Sequence, residues 1–125
     1  MEDNAPLLVV VDAANVVGSV PDGWWRDRRG AAERLRDRLA ADGVPGLDGP
    51  AEIVLVVEGA ARGVDSVPGV RVESAPGSGD DHMVELVARA GDDRPVLVVT
   101  ADRELRRRVA ELGARVAGPR TVRPG

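Results

Sequence analysis

The chain has 125 residues, a formal net charge of −4, two tryptophans, and no cysteine, phenylalanine or tyrosine. This length predicts a single domain over residues 1-125 that buries an apolar core without disulfides or a structural metal. The composition excludes a disulfide-stabilised scaffold, a cysteine-based zinc site and a membrane-spanning helix. It also excludes a P-loop nucleotidase, because all 17 basic residues are arginine and that motif requires lysine.

The charge and the N-terminus also bear on partners and location. A net negative chain does not have the basic surface that is typical of a general nucleic-acid binder. A polyanion would therefore have to be met by a local arginine patch or through a metal ion. The acidic N-terminal residues 1–6 are unlike a secretory signal, so a cytoplasmic location without membrane contact is expected.

The first part of the chain predicts a strand and then a helix. The continuous apolar run Leu7–Val11 is typical of a buried strand. A loop at residues 20–23 follows, and Gly43 ends the next helix. The apolar face of that helix is predicted to carry Trp25, Ala32, Leu35 and Leu39, with Trp25 in the core. The alternative is that Trp24 and Trp25 stack on a nucleobase.

The alternation continues to the C-terminus. Strands are predicted over Ile53–Val57, Val70–Val72, Pro95–Val99 and Arg115–Ala117. Between them lie two helices, the first of which is expected to be capped by Asp80 or Asp81. The predicted apolar positions of these two helices are Met83, Leu86, Val87 and Ala90, and then Leu105, Val109 and Leu112.

Continuous apolar strands that alternate with amphipathic helices predict an α/β fold. Strands buried on both faces are typical of a parallel sheet, and right-handed crossovers place helices on both of its faces. The expected architecture is therefore a three-layer sandwich with a mostly parallel central sheet.

An acidic residue follows each of several predicted strands. Asp12 ends the first strand and Glu58 follows the second, while Asp102 follows Thr100 after a later one. A glycine-rich loop leads from the third strand to Asp80 and Asp81. Because the carboxyl ends of parallel strands meet at one edge of a sheet, these carboxylates are expected to share one site.

A cluster of carboxylates favours a bound cation, because the like charges otherwise repel one another. Oxygen ligands without cysteine favour Mg²⁺ or Mn²⁺ over zinc. Asn15 cannot titrate, so it is expected to orient a ligand carboxylate, a water molecule or a substrate phosphate. The alternative for Asp102, and for Asp80 and Asp81, is that they only cap helices or lie in a first turn.

The same residues resemble the NYN domains of the PIN-like nuclease superfamily, with the YacP-like branch most similar. The first motif is Asp12-Ala13-Ala14-Asn15, where the family usually has D-G-x-N, and the last is Thr100-Ala101-Asp102, similar to the family's T-[SN]-D. Asp80 corresponds to the acid that begins the family's central helix, and Asp81 is its neighbour. The acid after the second strand is Glu58, where this branch often has Asp.

This resemblance implies a PIN-like fold and a Mg²⁺- or Mn²⁺-dependent endoribonuclease. It implies that Asp12, Asp80 and Asp102 hold the metal, with Glu58 and Asp81 as second choices. Thr100 and Asn15 would support the ligands. The implied partner is RNA, including RNA in a ribonucleoprotein or a ribosome, and a homodimer is left open.

Three other functions are weighed against this one. A non-catalytic RNA- or protein-binding module with the same fold is the main alternative, and it would bind RNA in the presence of chelators. A receiver-type phosphoacceptor would require a lysine, which the chain lacks. A nucleotide phosphatase using the same acids is left open. His82 and the arginines of the first and last helices are expected to be solvated side chains, with phosphate contacts of some arginines as the alternative.

Overall fold

The computed structural model describes residues 6–47 and 49–122 of the chain. The N-terminal residues 1–5, which carry most of the acidic segment discussed above, lie outside the described residues. The strands within the described ranges are β1 (Leu7–Asp12), β2 (Ala51–Val57), β3 (Val70–Ser74), β4 (Val96–Val99) and β5 (Arg115–Ala117). The α-helices there are α1 (Ala13–Val17), α2 (Arg28–Asp42), α3 (Gly79–Ala90) and α4 (Arg103–Glu111). Short 3₁₀ helices lie at Trp24–Arg26, Gly59–Ala61 and Pro119–Thr121.

The strands form one parallel sheet in the order β3-β2-β1-β4-β5. The chain moves outward from β1 through β2 to β3, and then crosses back to place β4 on the other side of β1. The strand order therefore reverses between β1 and β4, and ligands of open α/β sheets bind at the carboxyl ends of the strands at such a point. This topology confirms the predicted α/β fold.

Helices cover both faces of the sheet because successive strand residues point to opposite sides. Val9 and Val11 of β1 belong to the core cluster that contains α1 and α2. Leu8 and Val10 belong to the cluster on the opposite face, together with α3 and α4. The result is the predicted three-layer arrangement, and both layers of the core consist mainly of Val, Leu, Ile and Ala.

The prediction that Trp25 lies in the core is wrong. Trp25 is 50% exposed, whereas Trp24 packs against the core cluster beside α2. A shared helical face requires one helix from Trp25 to Leu39. The backbone of Asp27 is instead non-helical, so the 3₁₀ helix at Trp24–Arg26 and the following α2 do not share one helical phase.

Two further helix predictions need correction. Ser78, not Asp80 or Asp81, caps α3, since its hydroxyl accepts a hydrogen bond from the backbone N–H of Asp81. Asp80 and Asp81 lie in the first turn instead. Leu112 is 42% exposed, because α4 ends at Glu111 and Leu112 is already its C-cap.

None of the helices within residues 6–47 and 49–122 combines the length and the apolar character that crossing a lipid bilayer requires.

Candidate active site

Asp12 is the buried acid at the end of the central strand. Its carboxylate is 5% exposed, and its Oδ2 accepts a hydrogen bond of 2.9 Å from the hydroxyl of Thr100, which is fully buried at the end of β4. Its Oδ1 accepts a weaker bond of 3.3 Å from the backbone N–H of Asn15. Because β1 and β4 are neighbours, the switch in strand order brings these two side chains together across 88 residues of sequence.

Asn15 and Thr100 join the connections that follow β1 and β4. The Oδ1 of Asn15 accepts a hydrogen bond of 2.9 Å from the N–H of Ala101. The hydroxyl oxygen of Thr100 accepts one of 3.1 Å from the N–H of Asp102. The oxygen of Asn15 thus binds the protein backbone, and its amide nitrogen makes no hydrogen bond to the described residues. The predicted role of Asn15 in orienting a carboxylate, a water molecule or a phosphate stays a prediction.

Glu58 and Gly79 connect the end of β2 to the start of α3. The Oε1 of Glu58 accepts a hydrogen bond of 2.7 Å from the backbone N–H of Gly79. A Cβ atom at position 79 would lie 3.0 Å from the carboxyl carbon of Glu58, so only glycine leaves room for this approach without a shift. The contact holds Glu58 beside the first turn of α3, where Asp80 lies.

The pKa values show that these acids act on one another. Burial raises the pKa of Asp12 from 3.8 to about 6, against the hydrogen bonds of Thr100 and Asn15, and repulsion from Asp80 and Glu58 adds to the increase. Burial and then repulsion from Asp102 and Glu58 raise the pKa of Asp80. The four carboxylates therefore lie near enough at the carboxyl edge of the sheet to affect one another's ionisation.

Asp102 has two functions in this arrangement. Its Oδ1 accepts a hydrogen bond of 2.9 Å from the N–H of Leu105 and caps α4. The capping alternative is thus correct for Asp102. It does not exclude a role in the site, since the same side chain repels Asp80.

Asp81 is an exposed neighbour of Asp80 that is paired with an arginine. It is 72% exposed and forms an ion pair of 3.0 Å with Arg108 of α4. The structure therefore separates the two neighbouring acids: Asp80 lies among the carboxylates, and Asp81 is paired with an arginine.

Two arginines of α4 belong to the site, although the sequence led us to treat them as solvated. Arg106 donates a hydrogen bond of 2.8 Å from Nε to the carbonyl oxygen of Thr100. The positive charge of Arg108 lowers the pKa of Asp80, against the larger effect of burial. Their spacing of four and six residues from Asp102 was visible in the sequence, but spacing alone does not show which helix face meets the site.

His82 is also not the solvated residue expected. Its Nε2 lies 2.7 Å from Oε1 of Glu73, and its side chain is 16% exposed. The pair joins α3 to β3, so we assign it a structural role.

The donor set fits an oxygen-preferring divalent cation, but the side chains are not gathered around one point. Asp12, Glu58, Asp80 and Asp102 supply only oxygen atoms, the ligands that Mg²⁺ and Mn²⁺ prefer. Among the residues that the structure describes, no three acidic or histidine side chains are grouped closely enough to hold a metal ion. Mg²⁺ is commonly bound by one or two carboxylates together with water and substrate phosphate. Two of these acids are therefore enough protein ligands for Mg²⁺.

Replacing Thr100 by Val is expected to destabilise the protein. The change keeps the shape of the side chain and removes the hydroxyl that donates to buried Asp12 and accepts from Asp102. A hydrogen bond to a charged group contributes about 1.5–3 kcal/mol, so the free energy of unfolding in urea at pH 8 should fall by about 2 kcal/mol. Thr100→Ser keeps the hydroxyl and is the matched control. Equal losses for the two variants would mean that packing of the methyl group, not the hydroxyl, accounts for the effect.

No protein-family model and no curated protein matches the chain. Among solved structures, the chain is similar to a crystallised mutant of Rae1 (YacP) from Bacillus subtilis, with a TM-score of 0.68. The two sequences are 19% identical, and the similarity covers 92% of this chain and 71% of the Rae1 chain. The chain therefore has the same α/β fold as this Rae1 (YacP) structure, which confirms, at the level of the fold, the resemblance to YacP-like NYN domains that its motifs indicated.

Proposed function

We propose that the chain is a metal-dependent endoribonuclease that cleaves RNA phosphodiester bonds at the acidic edge of its sheet. The observation that carries the proposal is that Asp12, Glu58, Asp80 and Asp102 lie at the carboxyl edge of the sheet, near enough for their charges to raise the pKa values of Asp12 and Asp80. A protein gains no stability from burying Asp12 as an anion beside other acids, because burial and repulsion both penalise the charged form. Such an arrangement is typical of a functional site.

Each residue of the site has a distinct part in this proposal. Two of the three residues Asp12, Asp80 and Asp102 would hold a divalent cation together with water and substrate phosphate, and Glu58 is the next candidate. Thr100 and the backbone N–H of Asn15 fix the carboxylate of Asp12, so that little reorganisation is needed when a cation and substrate arrive. When bound, a divalent cation supplies a lowered pKa for water and an electrostatic partner for the charge that develops on the phosphate.

The neighbouring acids Asp80 and Asp81 provide the sharpest test of the proposal. Single-stranded and structured RNAs would be incubated with the protein and Mn²⁺, and the fragments separated by electrophoresis. We expect Asp80→Asn to reduce cleavage by about 100-fold and Asp81→Asn by less than about threefold, since only Asp80 lies among the acids. EDTA should abolish cleavage by the unchanged protein.

Equal effects of the two substitutions would contradict the assignment of Asp80. Cleavage that persists in EDTA and in Asp80→Asn would contradict the proposed reaction, because the acids would then have no part in it.

A second candidate is a non-catalytic RNA- or protein-binding module with the same fold. It is favoured by the finding that no three acidic or histidine side chains of residues 6–47 and 49–122 are grouped around one point. The two candidates differ in calorimetry: the nuclease predicts Mn²⁺ binding that Asp12→Asn weakens. The binding module predicts RNA affinity that is the same with and without EDTA, and no cleavage.

A further inference from the structure

A cavity of about 410 Å³ adjoins the acidic site. Its lining includes the apolar residues Ala13, Val17 and Val57 and the acid Glu58. Small-molecule sites commonly have volumes of about 300–1,000 Å³ and combine apolar walls with a few polar groups, so this cavity has the size and character of a ligand site.

The far side of the cavity carries an aromatic ring and two arginines. Trp24 is half-buried, and the guanidinium carbon of Arg28 lies over its ring, 5.3 Å from the centroid. Arg62 follows the 3₁₀ helix at Gly59–Ala61 and is exposed at the cavity. The cation–π contact holds the guanidinium of Arg28 over the face of the indole, so the two planar groups lie together at the cavity.

Neither of these two arginines is neutralised by a carboxylate of the described residues. Arg29, Arg36, Arg71, Arg94, Arg107 and Arg108 all form ion pairs with carboxylates. Within the described part of the chain, no carboxylate lies within ion-pair distance of Arg28 or Arg62. Two positive groups without such partners, beside an aromatic ring, fit a ligand that has both a flat ring and a negative charge.

A nucleotide has this chemistry. Nucleobases stack on tryptophan and on arginine guanidinium planes, and arginine donates paired hydrogen bonds to phosphate oxygens. Glu58 lies both in the wall of the cavity and among the acids that repel Asp12 and Asp80. A nucleotide in the cavity would thus be next to the acidic edge of the sheet.

We infer that this cavity binds one nucleotide of a single-stranded RNA, with the base stacked at Trp24 and Arg28 and a phosphate held by Arg28 and Arg62. The inference rests on the proposed function and adds to it a substrate class, which is RNA with an unpaired nucleotide beside the scissile bond. It also explains how a chain with a net charge of −4 can hold RNA, because the positive charge is local.

The fluorescence of Trp24 tests the inference directly. The chain has two tryptophans, so Trp25→Phe leaves Trp24 as the single reporter. An unlabelled single-stranded hexaribonucleotide would be titrated into this variant in EDTA, which separates binding from cleavage. We expect saturable quenching, and an increase in Kd of about tenfold or more when Arg28→Ala or Arg62→Ala is added, the usual loss for a hydrogen-bonded charge contact.

Arg38→Ala is the matched control. Arg38 is an exposed arginine of α2 that does not line the cavity, so its removal changes the net charge equally and should leave Kd within about twofold. An absence of quenching, or an equal loss for Arg38→Ala and Arg62→Ala, would overturn the inference. Arg62 is exposed and its only hydrogen bonds to described residues use backbone atoms, so the substitution should not disturb folding.

Titration with nucleoside 5′-monophosphates shows whether the cavity binds a nucleotide within an RNA chain or a free nucleotide. Binding of the hexamer that is tighter than that of the monophosphates supports an RNA chain as the ligand. Equal binding would assign the cavity to free nucleotides and overturn the RNA inference. Quenching by RNA without cleavage in Mn²⁺ would contradict the proposed nuclease activity but not nucleotide binding in the cavity. Cleavage without quenching would contradict nucleotide binding in the cavity but not the nuclease activity.

Discussion

Asp12→Asn is expected to reduce RNA cleavage by about 10³-fold or more, the usual order when one member of a set of catalytic groups that act together is removed. The amide keeps the size of the carboxylate, and its oxygen can still accept the hydrogen bond from Thr100. It removes the negative charge that would hold a cation. Cleavage rates with Mn²⁺ at pH 7.5 measure the effect.

The control for this variant is Asp92→Asn, which removes the same charge from an exposed position between α3 and β4. It should cleave at the rate of the unchanged protein. Circular dichroism should show that Asp12→Asn keeps its secondary structure. A variant that cleaves normally would exclude Asp12 from the reaction, and a variant that fails to fold would show that Asp12 is structural.

The same substitution is expected to stabilise the protein above pH 6. Burial raises the pKa of Asp12 from 3.8 to about 6 in the folded state, a shift that corresponds to about 3 kcal/mol of unfavourable free energy when the carboxylate is ionised. Asn carries no such penalty. In EDTA at pH 7.5, the free energy of unfolding of Asp12→Asn should therefore exceed that of the unchanged protein by up to about 3 kcal/mol.

The sign of the pH dependence follows from the direction of the shift. Between pH 6 and about 4 the folded protein takes up a proton at Asp12 that the unfolded chain does not, so its stability rises as the pH falls. Below about pH 4 both states are protonated, and the difference between the two proteins should vanish. Urea unfolding at pH 4 and pH 7.5 measures both limits. A constant difference, or a less stable variant at pH 7.5, would contradict the raised pKa.

Asp12→Asn is thus expected to lower the rate of cleavage and to raise the stability of the fold. Asp12 destabilises the fold as an anion, and a cation or a positively charged ligand at the site would relieve that cost. Added Mn²⁺ should accordingly stabilise the unchanged protein more than Asp12→Asn, which a thermal melt of both can show.

Much of the fold followed from local pattern. The strand Leu7–Val11 was predicted because five apolar residues in a row can be satisfied only by burial on both sides, and the structure extends it by one residue to Asp12. The parallel order followed from the alternation of strands and helices. The shared edge of Asp12, Glu58 and Asp102 then followed from topology, since all parallel strands end at the same side of the sheet.

The errors arose where a side chain's direction depends on where a helix begins. Trp25 was placed in the core by counting back from Leu39, but the break at Asp27 changes the phase and buries Trp24 instead. The sequence did not distinguish Asp80 from Asp81 as the capping residue. Because Ser78 caps the helix, both acids lie in its first turn, where Asp80 is near the other carboxylates and Asp81 pairs with Arg108.

Local pattern thus accounts for which elements form and for the acid at the end of each strand, because burial and periodicity act on neighbours along the chain. Tertiary structure alone decides the partners: Thr100 with Asp12, Gly79 with Glu58, and the cavity beside them. These contacts join residues 21 to 88 positions apart, and their geometry depends on strand register and helix phase. Sequence spacing does not contain that information, since a helix that starts one residue later turns each of its side chains by about 100°.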